Sequence, residues 1–261
     1  MKEFETLLDG LDLKLFEKIH SQTSPNDKRS LLAVQQATRN LVPEFTYLEI
    51  GSYQGGSLQP FALDERCKKV FSIDLRPTVS EDDRGEAQIY ENNTTAYMLA
   101  NLERLTDADT SKIECIDGDV SDIDPGRVTA RPELCFIDGE HTDAATWRDY
   151  EFCRNVMAEN GAIIFHDAMI IYGCLSRIVA QLKEQGVKFR AYNLPDVVFV
   201  IEIGDFPLYR SPAIAEMLAD NHVGYLASLG FTDQYRRFAN RPLFRFARDL
   251  KLKFTKANVT K

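Results

Sequence analysis

Five short apolar runs alternate with stretches of helical periodicity through the middle of this chain, and that alternation limits the folds open to it. The runs are 45–50 (FTYLEI), 69–74 (KVFSID), 112–117 (KIECID), 133–138 (ELCFID) and 161–166 (GAIIFH). Helical stretches fall at 56–65, 95–106, 142–158 and 173–185. Strands separated by helices pair in parallel through crossover connections. Two more runs, 187–192 and 197–203, flank Asn193-Leu194-Pro195-Asp196 and read as a hairpin that adds an antiparallel strand. The expected architecture is α/β: a doubly wound, seven-stranded sheet, mostly parallel, closed by a C-terminal antiparallel hairpin.

Residues 4–20 and 27–41 read as amphipathic helices. In the first, Phe4, Leu7, Leu8, Leu11, Leu15 and Ile19 recur at helical spacing. The expected organisation is an N-terminal helical extension (1–42), the sheet domain (43–205) and a basic C-terminal helical extension (206–261). The polar segment 77–94 reads as a surface loop or short helix.

With 44% hydrophobic and 27% charged residues the chain has ordinary globular usage, which excludes collagen-like and largely disordered classes. No apolar run approaches the roughly 18 residues of a membrane span. The first residues lack a basic segment followed by an apolar one, so no secretory signal is expected. Five cysteines at 67, 115, 135, 153 and 174, without CxxC spacing, fit a reduced, cytoplasmic setting better than disulfides or a structural zinc.

The net charge of −9 is unevenly spread. From residue 208 onward there are ten basic and four acidic residues, against 21 basic and 36 acidic before it. An acidic body argues against a nucleic-acid partner. From Pro242, the positions Leu243, Phe246/Ala247, Leu250 and Phe254 form an apolar stripe among basic residues. Packing on the chain's own body or on a second subunit is the favoured reading, with a homo-oligomer expected. Contact with a membrane surface is the alternative.

Chemistry concentrates where the apolar runs end. Gly51-Ser52-Tyr53-Gln54-Gly55-Gly56-Ser57 follows the first run and precedes a helix. Glycines there let the backbone approach a ligand closely, and a helix N-terminus offers free N–H groups to a carboxylate or phosphate. Tyr53 stands where the second glycine of a dinucleotide fingerprint would fall, which disfavours a nicotinamide enzyme. Asp74 ends the second run, where a carboxylate can accept hydrogen bonds from both hydroxyls of a ribose. Asp117 and Asp119 flank Gly118 at the end of the third.

The fourth run ends in Asp138-Gly139-Glu140-His141 and the fifth in His166-Asp167. In an open parallel sheet, ligands bind beyond the carboxyl ends of the strands, so both clusters share a crevice with the glycine turn. Two carboxylates and up to two imidazoles offer ligands for a divalent cation and a candidate general base. Tyr172 follows the fifth run and is a candidate for the acceptor pocket. His20 and His222 belong to no cluster.

Glu49-Ile-Gly51-Ser-Tyr-Gln-Gly55-Gly56-Ser57, then Asp74, then Gly118-Asp119, resembles the class I S-adenosylmethionine-dependent methyltransferases. The resemblance spans roughly residues 40–205 and implies a Rossmann-like sheet. It implies that Glu49, Gly51, Ser52, Gly55 and Ser57 serve the amino-acid end of S-adenosylmethionine, Asp74 the ribose, and Asp119 and Val120 the adenine. FIDGEH followed by FHDA is similar, more narrowly, to the metal-dependent sugar O-methyltransferases of the macrocin type, in the cephalosporin-hydroxylase-like group. That similarity implies a magnesium or manganese ion held by Asp138, His166 and Asp167, with His141 as the base. His166 departs from the pattern, because the best-described members carry an acid there. The implied activity is methyl transfer to a hydroxyl of a sugar or other polyhydroxylated small molecule. A metal-free enzyme using His141 alone and a non-catalytic cofactor-binding module remain as alternatives.

Overall fold

The computed structural model describes residues 2–246, apart from 83, 84, 86, 106, 240 and 243. Its main sheet has seven strands: β1 (Phe45–Ile50), β2 (Cys67–Asp74), β5 (Ile113–Asp117), β6 (Leu134–Ile137), β7 (Gly161–Phe165), β8 (Phe189–Asn193) and β9 (Phe199–Ile203). Their order is β5-β2-β1-β6-β7-β9-β8. The first five are mutually parallel, and β9 runs antiparallel to both β7 and β8. The chain leaves β1 toward β2 and β5, then returns to place β6 on β1's other side. Such a reversal opens a crevice at the carboxyl ends of the strands.

Every residue of β1 is buried, because both faces of the sheet are covered. Side chains alternate across a strand. Tyr47 therefore joins the core made with Leu8, Leu32 and Phe61. Leu48 and Ile50 join the opposite core, with Phe152 and Ile178. Those partners come from α1 (Lys2–Asp9), α2 (Pro25–Leu41) and α3 (Gln59–Leu63) on one face, and from α5 (Asp143–Val156) and α6 (Tyr172–Glu184) on the other. Helix α4 (Thr95–Leu102) follows a small second sheet, and α7 (Pro212–Ala219) follows β9.

The expected helix over 4–20 is broken. Helix α1 ends at Asp9, Leu11 takes a left-handed conformation (φ 48°), and a short 3-10 turn spans Leu13–Phe16. The chain turns at Leu11, yet Leu8, Leu15 and Ile19 are still buried. The helix expected over 56–65 shrinks to α3, since the glycine turn occupies its first residues. Segment 77–94 is neither loop nor helix throughout. It holds a two-stranded antiparallel sheet, β3 (Val79–Glu81) with β4 (Ala87–Ile89). Val79 and Ile89 pair across it while exposed, so no buried apolar face advertised these strands in the sequence.

All five cysteines are unpaired. No described helix is long and apolar enough to cross a membrane. Residues up to Leu218 form one compact unit and those from Ala219 a second. Within the second, α8 spans Asn221–Ala239. Most of the apolar stripe expected from Pro242 onward lies outside the described residues.

Candidate functional site

The glycine turn is shaped by the need to bring two strand ends together. Gly51 has φ +92°, and a Cβ there would sit 2.1 Å from the Asp138 carbonyl oxygen. Only glycine allows that approach. The Asp138 N–H donates to the Ile50 carbonyl at 2.9 Å, which locks the end of β6 beside the turn. Gly56 plays a similar part on the other side, where a Cβ would lie 2.4 Å from the His20 carbonyl oxygen.

Two cavities open at these strand ends. The larger, about 310 Å³, lies between the turn, β2, β5 and the β3–β4 hairpin. Gly51, Asp74, Asp119 and Val120 line it. The smaller, about 200 Å³, is lined by Gly51, Ser52 and Ser57 together with Asp138, His141, His166 and Asp167. Gly51, Tyr53, Tyr90 and Asp138 border both. Glu49, Gly55 and Tyr172 line neither. His20, which the sequence left outside every cluster, lines the smaller cavity with Ser21, Gln22 and Thr23.

Glu49 points into the protein. Its carboxyl group lies against the Tyr47 and Ser57 hydroxyls, and complete burial raises its pKa to about 8 although both hydroxyls lower it. Its link to the site is indirect, through Ser57. Asp74 accepts the Tyr53 N–H at 2.8 Å and the Arg76 N–H at 2.6 Å, and lies 3.3 Å from the Arg76 guanidinium. Asp119 accepts both the N–H and the hydroxyl of Ser121, which lower its pKa.

Asp138 and His166 are the first residues beyond β6 and β7, whose register pairs Ile137 with Phe165. The His166 N–H donates to the Ile137 carbonyl at 3.0 Å, extending that pairing by one step. His166 Nδ1 lies 2.9 Å from Asp138 Oδ1 and 3.1 Å from Asp167 Oδ2. His141 Nε2 lies 3.1 Å from Asp167 Oδ2 and 3.7 Å from Asp138 Oδ1. Asp167 reaches the group from a left-handed backbone, φ 51°, which aspartate tolerates better than most residues. Burial alone would raise the Asp138 pKa; the adjacent imidazoles outweigh it and hold the carboxyl at about 2. Burial alone would lower both histidines, and the surrounding carboxylates instead raise them, His166 most.

One donor atom from each of Asp138, His141, His166 and Asp167 lies within 4.8 Å of all the others. The Nε2 atoms of His141 and His166 are buried without a well-directed hydrogen bond. Two nitrogens and two carboxylates, partly buried and not fully satisfied by each other, fit a divalent cation. The larger cavity is of small-molecule size and presents the strand-end carboxylates that a nucleoside requires.

Four site-shaping residues escaped the sequence reading. Arg76 bonds the Tyr53 carbonyl at 2.7 Å and reaches Asn93 Oδ1 and Asp117 Oδ1, each at 3.3 Å. It pins the turn to β2 and β5. Tyr90 comes from the unrecognised hairpin. Asp149, 7% exposed, lines the larger cavity and accepts no hydrogen bond from a described residue; burial raises its pKa to about 7. Asp27, from α2, lies behind His166. Only the Asp27 position carried a local motif, Ser24-x-x-Asp27, in which Ser24 caps the helix through the Asp27 N–H.

Comparison with known proteins agrees with this geometry. Residues 48–168 match the Methyltransf_24 family, described as a methyltransferase domain. No curated protein matches the chain significantly by sequence. Among solved structures, the O-methyltransferase NovP superposes with a TM-score of 0.56 at 13% identity, covering 77% of this chain and 98% of that one. CalS11, a calicheamicin methyltransferase, superposes with a TM-score of 0.53 at 17% identity, covering 78% and 91%. Those likenesses establish the fold, and the family match bears on the residues that build the cavities. Residues 48–168 therefore carry a methyltransferase domain, in a chain that has the fold of these methyltransferases.

Proposed function

We propose that this enzyme methylates a hydroxyl oxygen of a small polyhydroxylated acceptor, such as a sugar, with the aid of a divalent cation. The observation that carries the reading is the Asp138–His141–His166–Asp167 group, which lines the smaller cavity while Asp138 also borders the larger. In this reading S-adenosylmethionine occupies the larger cavity, with its ribose toward Asp74, its adenine between Asp119 and Val120, and its amino-acid end toward Gly51, Ser52 and Ser57. Glu49 orients Ser57, and Gly55 shapes the turn. Support for oxygen as the acceptor atom comes from NovP, an O-methyltransferase of the same fold.

The cofactor supplies a methyl group already activated on sulfonium. The cation, magnesium or manganese, would be held by Asp138, His166 and Asp167 and would supply Lewis acidity that favours deprotonation of the acceptor. The chain's own residues do the rest. The shared border of the two cavities aligns acceptor and cofactor. His141 Nε2, not satisfied by a well-directed hydrogen bond, takes the hydroxyl proton. Tyr53 and Tyr90 form a wall common to both cavities.

Calorimetric titration of metal-stripped protein with S-adenosylhomocysteine, followed by methyl-transfer assays on a panel of sugars and catechols with manganese or with chelator, tests this reading. Cofactor binding with turnover that chelator abolishes is expected. Turnover that survives chelation favours the second reading, in which the His141–Asp167 contact at 3.1 Å serves as a metal-free base. Absence of transfer to any hydroxyl would overturn both.

A further inference from the structure

We propose that Asp27 is a positioning residue for the cation site, holding the His166 ring so that Nδ1 is presented as a nitrogen ligand. This inference rests on the metal-assisted reading and deepens it. His166 Nε2 faces Asp27 Oδ2 at 3.5 Å, close but without a well-directed hydrogen bond, on the side of the ring opposite Asp138 and Asp167. Both residues are buried, Asp27 at 2% and His166 at 9% exposure. A carboxylate behind one ring nitrogen selects the tautomer protonated there, and leaves the lone pair on the other nitrogen free for a cation.

Helix capping does not account for this carboxylate. In a capping box the acid three residues into the helix would reach back to the Ser24 N–H. Here Asp27 Oδ1 instead accepts the Val197 N–H at 3.1 Å. The Ser24 hydroxyl lies 2.8 Å from Asp27 Oδ2 and 2.7 Å from Asp196 Oδ2, and its single proton serves one of them at a time. Asp27 Oδ2 therefore keeps acceptor capacity toward His166. Phe136 packs edge-on to the imidazole, at 6.2 Å between ring centroids, and restricts its rotation. A nitrogen ligand fixed in this way suits manganese, iron, cobalt or zinc better than magnesium. Asp27 would tie helix α2 to the proposed cation site.

The test uses the full chain, stripped of metal, with Mn²⁺ as probe, read by the loss of its free electron paramagnetic resonance signal. Asp27→Asn keeps an acceptor for the Val197 N–H but removes the charge. It is expected to weaken Mn²⁺ binding ~10–100-fold, the usual effect of losing such an outer partner. S-adenosylhomocysteine affinity should stay within about twofold. In a His166→Asn background the same change should leave Mn²⁺ affinity within about twofold. Equal losses in the two backgrounds would mean that Asp27 only holds the helix in place, and would overturn the proposal. No loss in either would do the same. A second measurement needs no variant. Side-chain ¹⁵N shifts of the Zn²⁺-loaded wild type should show His166 protonated on Nε2; protonation on Nδ1 overturns the assignment. If the wild type binds neither ion, the metal-assisted reading fails together with this one, whereas binding that ignores Asp27 sinks this one alone.

Discussion

The Tyr53 ring packs edge-on against Tyr90, with centroids 5.2 Å apart, and both side chains border both cavities. One residue comes from the glycine turn and the other from the end of the β3–β4 hairpin. The pair is thus the place where the two cavities meet. Tyr53 sits at φ 43°, while its hydroxyl donates to the Glu91 carbonyl at 2.9 Å, so the turn and the segment after the hairpin are tied twice.

Removing the second ring should open that wall. Tyr90→Ala is expected to weaken S-adenosylhomocysteine binding about tenfold, from the lost edge-on contact and the lost buried area. Tyr90→Phe keeps both and should stay within about twofold. Calorimetry on the two variants decides it, and equal losses in both would assign the effect to the hydroxyl instead.

Arg76 lines neither cavity, yet it should matter as much as a residue that does. Its guanidinium is 9% exposed and joins Asp74 to the Tyr53 carbonyl. Removing one partner of a buried pair strands the other charge, which costs about 3–5 kcal/mol. Arg76→Ala should therefore lower the unfolding midpoint in urea and weaken S-adenosylhomocysteine binding together. Asp74→Asn should weaken ligand binding about tenfold or more, since a charged acceptor is lost. An Arg76→Ala protein of unchanged stability would show that the guanidinium does not hold the turn.

Much of this was legible because of where the strands stop. β1, β6 and β7 are wholly buried, so their apolar runs stood out, and polar residues directly after them had to lie at the sheet's edge. Asp138, His166 and Asp167 could be named on that ground alone, and Asp74 as the polar end of β2. Arg76, Asp149 and Asp27 could not, because their roles depend on contacts made across the fold. Arg76 meets Asn93 and Asp117, and Asp27 meets Val197 and His166. The hairpin was illegible for a different reason: β3 and β4 pair through their backbones, and the paired Val79 and Ile89 are exposed.

Stability should carry the mark of Asp149. Burial raises its folded pKa to about 7 from an ordinary 3.8. Between those values the unfolded chain loses this proton and the folded chain keeps it, so the group's contribution to stability declines as pH rises through that window. Asp149→Asn removes the effect. The ligand-free variant should match wild type near pH 4 and exceed it at pH 8 by on the order of 4 kcal/mol, the value of about three pKa units. Urea titrations at the two pH values measure the difference. A gap that does not widen with pH would show that Asp149 is ionised in the folded protein.

Gly51 and Gly56 separate the two halves of the site. At Gly51 a methyl group would meet the Asp138 carbonyl oxygen at 2.1 Å and the backbone is left-handed, so Gly51→Ala should disrupt both cavities and abolish S-adenosylhomocysteine binding. Gly56 has an ordinary backbone, and its methyl group would meet the His20 carbonyl oxygen at 2.4 Å and Ser21 Cβ at 2.7 Å. Gln59 staples this neighbouring segment, accepting the Ile19 N–H at 2.9 Å and donating to the Ile19 carbonyl at 2.9 Å. The clash at Gly56 must therefore push residues 20–23 outward against that staple. Those residues line only the smaller cavity. Gly56→Ala is expected to leave S-adenosylhomocysteine affinity within a few fold while methyl transfer falls at least about tenfold, as misplacement of a bound reactant by an ångström allows. Ligand affinity that collapses as fully in Gly56→Ala as in Gly51→Ala would show that segment 20–23 belongs to the cofactor's site and not the acceptor's.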